Sequence, residues 1–441
     1  MMKIAFISYE YPPDTAYGGI ATYVHQAARM LQRRGHRVEV FTGSPHRSGT
    51  AYEDGVFVHR VRVMEQHEFA KPIGQFFSER HKVIQFDVLE GPDFSADARE
   101  AVRLAPDIPL VLKLHTPSIL LLKLNFYETT LVKKIRSYIW ALLAGIKPTW
   151  GYDPRIETHR QNSVRLNEIE WAHALEADEI ASPSRSLGNI LIKEWGLDPT
   201  LIQHVPYPYI PTPELLQIPV ETQTKVVTFV GRLEVRKGVI DLAQAIPMIL
   251  RYHPDAKFRF VGPADVSPRP KVDMQTYLEN MLRHYSNSLE FTGPVALSEI
   301  PQVLAATDIC VFPSLWENFP CVCLEAMAAA RGIVGSDAGG MVDMLDAGRV
   351  GRLVPPRSPH SIAQAIIELL GNPELRMKLG QAARERILTE YSADHISVLQ
   401  EASYARAISR RRASGVRRST ISVTPSKLQH VVNDKLLISE R

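Results

Sequence analysis

The chain has 441 residues, 45% of them hydrophobic and 22% charged, enough for two domains with substantial cores and ordinary for a folded protein. No uncharged apolar run reaches the roughly 18 residues a transmembrane helix needs, and the apolar run in MMKIAFISYEYPP is too short for a signal peptide. Three cysteines, Cys310, Cys321 and Cys323, supply no even disulfide framework and point to a reducing, cytoplasmic location.

In chain order, KIAFISY reads as a strand and GIATYVHQAARMLQRRGH as a helix closed by Gly35, followed by the strands RVEVFTG and LVLKLH. This alternation argues for parallel sheets in an α/β fold. Residues 118–147, SILLLKLNFYETTLVKKIRSYIWALLAGIK, break the rhythm: the segment reads either as an amphipathic stretch lying on a membrane or as a core helix with a lid. VPYPYIPTPELLQIP holds five prolines in fifteen residues and reads as an inter-domain linker. Behind it the alternation restarts, from KVVTFVG through DICVFPS and CLEAMAAA to SIAQAIIELLG. The expected division is 1–205 as a first Rossmann-like domain, 206–221 as linker and 222–390 as a second domain. Residues 391–405 are expected as a helix crossing back, and 406–441 as a tail.

The formal net charge of +3 is uneven, because the chain from Arg406 onward carries nine Lys/Arg against two Asp/Glu. A solvated, disordered tail is the plain reading. Attraction to anionic headgroups at the inner face of a membrane is the sharper one. Nucleic acid is disfavoured, since no stacking aromatics are interleaved with the basic residues.

The residues that carry chemistry lie at strand ends. LWENFPCVCLEAM places Glu317 in a loop after a strand and Glu325 inside a helix that starts near Pro320, a residue suited to a helix start but not an interior. A helix N-terminus suits a phosphate. FVGRLEVRKG sets Arg232 and Lys237 beyond another strand, two cations suited to a diphosphate. YPPDTAYGGIATYV brings Gly18 and Gly19 to a helix start but lacks G-x-G-x-x-G, so a dehydrogenase is disfavoured. Cys321 and Cys323 lack the further ligands of a zinc site, and no D-x-D occurs. His115 is open to a structural or a catalytic role at its strand end. Glu90 is open to the cleft or to an exposed loop, and Glu170 lies in a helix read as structural, with an acceptor contact as the other reading.

GRLEVRKG followed about 80 residues later by E-x7-E resembles the retaining nucleotide-sugar glycosyltransferases of the GT-B fold, the family that contains sucrose synthase and bacterial lipid mannosyltransferases. GGIATYV, LHTPS, FTGPV and SDAGGMVDML match further stretches of that family, so the resemblance runs from Met2 to about residue 395. It implies two doubly wound parallel-sheet domains facing across a cleft, and transfer of a hexosyl group from a UDP- or GDP-sugar to a glycan, lipid-linked or small-molecule acceptor without metal or other cofactor. It also implies residue roles. Glu317 and His115 would serve the sugar, Arg232 and Lys237 the diphosphate, and Glu325 the ribose. Phe319 and the backbone at Cys321 would line the sugar and diphosphate, Gly18 and Gly19 would approach from the other domain, and Gly262 and Val295 would meet the base. Pro320 departs from the family's usual glycine, and Val342 and Asp343 from its usual proline and glutamate, which puts in doubt an acidic contact at Asp343. A nucleotide-sugar epimerase or hydrolase of the same fold, or a non-catalytic nucleotide-sugar binder, is the alternative reading.

Overall fold

The computed structural model describes residues 1–16, 18–126, 154–269 and 271–415. The first sheet has eight strands: β1 (Lys3–Ile7), β2 (Arg37–Ser44), β3 (Gly49–Glu53), β4 (Val56–Arg62), β5 (Val88–Pro92), β6 (Leu110–Lys113), β7 (Glu179–Ser182) and β8 (Ile202–His204). Their spatial order is β3-β4-β2-β1-β5-β6-β7-β8. All neighbours run parallel, as expected, except β3 and β4, which form an antiparallel hairpin at the edge. The second sheet is parallel throughout, in the order β11-β10-β9-β12-β13-β14. Its strands are β9 (Val226–Val230), β10 (Lys257–Val261), β11 (Leu289–Gly293), β12 (Ile309–Phe312), β13 (Gly332–Ser336) and β14 (Arg352–Val354). Central strands such as β5, β6, β12 and β13 are buried along their whole length, because helices cover both faces.

Four helices position the site: α1 (Gly19–Arg33), α2 (Arg185–Trp195), α3 (Cys321–Ala328) and α4 (Ala393–Ser414). Helix α1 buries Ala21, Val24, Ala28 and Leu31, one stripe at helical spacing. It ends where Gly35 takes a left-handed conformation and its N–H donates to the Gln32 carbonyl. Each sheet reverses its strand order at its centre, β1/β5 in one and β9/β12 in the other, and ligands bind at the carboxyl ends of strands at such points.

The two halves share apolar cores. One cluster runs from Ile4, Phe6 and Tyr23 through Tyr207 and Tyr209 to Phe319, Cys323 and Tyr391; a second joins Leu112 and Leu120 to Leu315 and Trp316. The proline-rich stretch contributes to this core, with Tyr207, Tyr209, Leu215 and Ile218 all buried. Helix α4 lies on the first sheet and extends past residue 405 to Ser414. The basic residues expected in a solvated tail from 406 therefore begin inside a helix. Arg406 and Arg410 pair with the buried Glu179, and Arg411 with Asp178. Buried carboxylates on β7 and just before it select these arginines from the basic run. Of the segment 118–147, residues Ser118–Phe126 are helical; the rest of it, and residues 416–441, lie outside the described residues.

Candidate functional site

Loops following β1, β6, β9 and β12 meet between the sheets. The loop after β12 carries Glu317, which is 8% exposed. Lys237 Nζ donates to Glu317 Oε1 at 2.5 Å, Ser314 Oγ donates to the same oxygen at 2.8 Å, and an Arg236 guanidinium nitrogen lies 3.9 Å away. Burial alone would raise the Glu317 carboxyl, but Lys237 and then Arg236 outweigh it and hold the group below the usual carboxylate range. It is an ionised carboxylate inside a cationic setting.

The backbone under Glu317 is held by the glycine pair of SDAGGMVDML. Gly340 N–H donates to the Glu317 carbonyl at 2.7 Å, and Glu317 bridges Gly339 in parallel. A Cβ at Gly339 would lie 2.0 Å from the Glu317 carbonyl oxygen, and one at Gly340 would lie 1.6 Å from that of Asn318. No side chain fits there.

Pro320 is the N-cap of α3, one place before the first helical residue, and its missing N–H is lost outside the helix ladder. The start of α3 faces the start of α1: a Cβ at Gly19 would lie 3.9 Å from Cys321 Sγ. Gly18 is the N-cap of α1. Two helix N-termini, one from each half, thus converge with their partial positive charge, and at the start of α1 the Glu10 carboxylate accepts from the Gly18 and Ala21 N–H groups. Burial pushes the Glu325 carboxyl up to about 7, and burial followed by Glu325 pushes the Cys321 thiol up to about 12. Cys321 is therefore a neutral thiol, not a nucleophile.

His115 sits two residues beyond β6, 6% exposed. Its N–H donates to Asp93 Oδ1 at 2.7 Å, its carbonyl accepts from Asn318 Nδ2, and its Nδ1 lies 2.6 Å from the Tyr207 hydroxyl. Burial, then the Lys113 charge, push the imidazole down to about 3. Phe319 is buried between the rings of Tyr207 and Tyr391, at 5.4 and 5.3 Å. Gly262 closes β10 with φ of 136°, and a Cβ there would meet the Gly231 carbonyl oxygen at 2.1 Å. Half-buried Val295 packs against the shared core. Lys237, Glu317, Cys321, Gly19 and His115 are brought together through these contacts. Arg232 stands apart, its side chain 60% exposed and its nearest carboxylate Glu234 at 3.8 Å.

Some residues that shape the site carry no signal in the sequence. Arg236 is adjacent to Lys237 and differs from Arg232 only in facing inward, paired with Glu234 at 2.7 Å. Asn318 links the halves, since Ser184 Oγ donates to its Oδ1 at 2.8 Å while its amide reaches His115. Asp343, in doubt as a ligand contact, accepts from the Arg185 backbone at 2.8 Å and its guanidinium at 3.0 Å, joining α2 to the second half. Two carboxylates are structural. Glu90 neither faces the cleft nor lies in an exposed loop: it is 1% exposed inside β5, bonded to Tyr23, Gln400 and Tyr404. Glu170 is buried and accepts from Ser95 and Ser118.

The first half of the chain matches the family described as Glycosyltransferase Family 4 over residues 17–209, and the second matches Glycosyl transferases group 1 over residues 224–372. The chain belongs to the group 1 glycosyltransferases. An uncharacterized glycosyltransferase of Methanocaldococcus jannaschii is 25% identical over 429 residues, covering 90% of this chain and 96% of the relative. The glycogen synthase of Mycobacterium tuberculosis is 25% identical over 414 residues, covering 88% and 91%. Among solved structures, sucrose-phosphate synthase from Thermosynechococcus elongatus superposes with a TM-score of 0.68 at 19% identity, covering 93% of this chain and 100% of that one. An Anabaena protein in complex with UDP gives 0.63 at 17% identity, covering 92% and 100%. The fold of this group 1 glycosyltransferase is accordingly GT-B, two parallel-sheet α/β domains around a shared cleft.

Proposed function

We propose that this glycosyltransferase moves a hexosyl group from a nucleoside-diphosphate sugar to a glycan, lipid-linked or small-molecule acceptor, with retention at the anomeric carbon and without a metal ion. The observation that carries the reading is Glu317, ionised beside Lys237 and Arg236 where the starts of α1 and α3 face each other. Such an arrangement serves both ends of a charge-separating step. Lys237 and Arg232, with the N–H groups at the two helix starts, take the growing negative charge of the leaving diphosphate. Glu317 offsets positive charge developing on the sugar. Preorganised groups of this kind act where charge develops in the transition state, and they are often the largest catalytic contribution.

In this reading Glu325 accepts the ribose hydroxyls, and Phe319 and the Cys321 backbone line the sugar and diphosphate. His115 contacts the sugar, and Gly262 and Val295 border the base. Residues 1–205 form the acceptor side, 222–390 the donor side, and the stretch at 206–221 joins them. Contact with an anionic membrane surface through the basic C-terminal residues belongs to the same reading. The names of the relatives support a nucleotide donor and a polysaccharide-type product, and family membership favours transfer over epimerisation or hydrolysis.

Thermal stability with UDP, GDP, ADP and their common sugar conjugates tests the donor site. A ligand at about 100 times its dissociation constant stabilises the fold by about 2.7 kcal/mol. One nucleotide is expected to raise Tm in the wild type and not in a double Arg232→Ala, Lys237→Ala variant. If none does so, the donor-site reading fails. Acceptor-dependent product with the donor's anomeric configuration then separates transfer with retention from hydrolysis.

A further inference from the structure

We propose that Tyr207, on the proline-rich stretch between the sheets, sets the tautomer of His115, leaving the proton on Nδ1 and presenting the Nε2 lone pair as an acceptor for a donor-sugar hydroxyl. This rests on the reading of the cleft as a nucleotide-sugar site. The assignment follows from counting protons. The Tyr207 oxygen lies 3.1 Å from the Leu114 carbonyl oxygen and 2.6 Å from His115 Nδ1. A carbonyl only accepts, and a phenol has one proton to donate. The Leu114 carbonyl has no other donor among the described residues, so the Tyr207 O–H is assigned to it, which leaves the phenol oxygen to accept from Nδ1–H. In a neutral imidazole the other nitrogen then carries the lone pair.

Nε2 makes no hydrogen bond with any described residue, and it keeps access to solvent. The ring is otherwise immobilised. Asp93 and Asn318 hold its backbone, and the Tyr23 ring lies 5.4 Å away at 66°. Tyr207 is fixed in turn by Phe319 from the second half and by Lys113, whose ammonium sits 5.4 Å from the Tyr207 ring centroid and donates to the Val205 carbonyl at 2.6 Å. Because burial and Lys113 keep the imidazole neutral, its hydrogen-bonding sense depends on which nitrogen holds the proton and not on its charge. Tyr207 is thus a positioning residue contributed by the segment that joins the domains. Its hydroxyl and ring both touch the first half, and its ring also meets Phe319 of the second.

The test reads the tautomer directly. Full-length protein labelled with 15N-histidine is examined by long-range proton–nitrogen correlation, with the His115 signals assigned by their loss in His115→Gln. The wild type is expected to show a pyrrole-type Nδ1 and a pyridine-type Nε2. In Tyr207→Phe the ring is expected to move toward the mixture of free imidazole, with kcat/KM reduced about tenfold, as for one lost hydrogen bond. That reduction is expected to disappear in a His115→Ala background. A pyridine-type Nδ1 in the wild type overturns the proposal, as does a Tyr207→Phe effect of equal size with and without His115. The spectrum is read without substrate. The expected tautomer with no sugar transfer would therefore count against the functional reading while leaving the Tyr207 assignment standing.

Discussion

At the scale of single residues, Glu317 is buried and Glu325 half-buried, and their surroundings push the two carboxyls in opposite directions. Lys237 and Arg236 keep Glu317 ionised, whereas Glu325 has only burial acting on it and rises to about 7. Glu317→Gln retains shape and removes charge; kcat is expected to fall by about 10²–10³, the usual range for loss of one preorganised charge-stabilising group, with donor KM little changed. Steady-state kinetics decide it, and a kcat within a few-fold of wild type removes Glu317 from the charge-stabilising role. For Glu325, the ionised form accepts ribose hydroxyls, so donor affinity is expected to rise as pH increases through about 7 and then level off. Titration calorimetry across that range should show the inflection in the wild type and a flat profile in Glu325→Gln. The sign reverses for the unliganded fold. A carboxyl raised in the folded state adds stability below its unfolded pKa, and that stability is lost as pH climbs through the folded value.

At the scale of elements, the loop after β12 is placed less by its own residues than by the glycines before Met341. Gly340→Ala drives a Cβ into the Asn318 carbonyl, so the Glu317–Asn318 backbone has to move. A displacement of about 1 Å costs on the order of 10²-fold in rate. Activity is expected to drop by that order while the protein stays folded, as judged by circular dichroism. Gly35→Ala is the matched control. It has a positive φ of 85° but nothing within 4 Å of an added Cβ, so it should cost stability and spare turnover. Equal losses of activity in the two variants would show that the clash at Asn318 is not what matters. Element ends also meet here, since α1 and α3 start opposite each other, with the Glu10 carboxylate bonded to the backbone at the start of α1.

At the scale of the whole molecule, the halves are joined by two shared apolar clusters and a few polar links, and the links differ in weight. Arg185–Asp343 has a largely exposed guanidinium, so it adds at most about 1 kcal/mol. Asn318 is buried and bonds on both sides of the cleft. Its replacement by alanine leaves the Ser184 hydroxyl and the His115 carbonyl without this partner, at about 1–3 kcal/mol for a buried group so stranded. Since about 1.4 kcal/mol is a factor of ten in an equilibrium, Asn318→Ala is expected to populate an open form, visible as a larger radius of gyration in X-ray scattering without donor. An unchanged scattering curve would assign closure to the apolar clusters alone.

Hydrophobic periodicity and turn residues were enough to place most of the strands and helices behind the linker, along with the α/β class and the separation of Glu317 from Glu325 by a helix start. These are local properties: a strand's burial, a proline's missing N–H and a glycine's freedom are written in neighbouring residues. The edge hairpin β3–β4 is local as well, with Asp54–Gly55 at its turn and Glu53 paired with Val56, and its signal lies in those neighbouring residues. The helical state of Arg406–Ser414 depends on partners far along the chain. So do the inward turn of Arg236 against the exposure of Arg232, and the burial of Glu90 under α4. Charge and hydrogen-bonding sense are decided the same way, because a carboxylate or imidazole takes its proton affinity from whatever surrounds it in space. Residue types and spacing determined which groups this glycosyltransferase has to work with. Only tertiary structure decided which of them are ionised, which are paired, and which meet across the cleft.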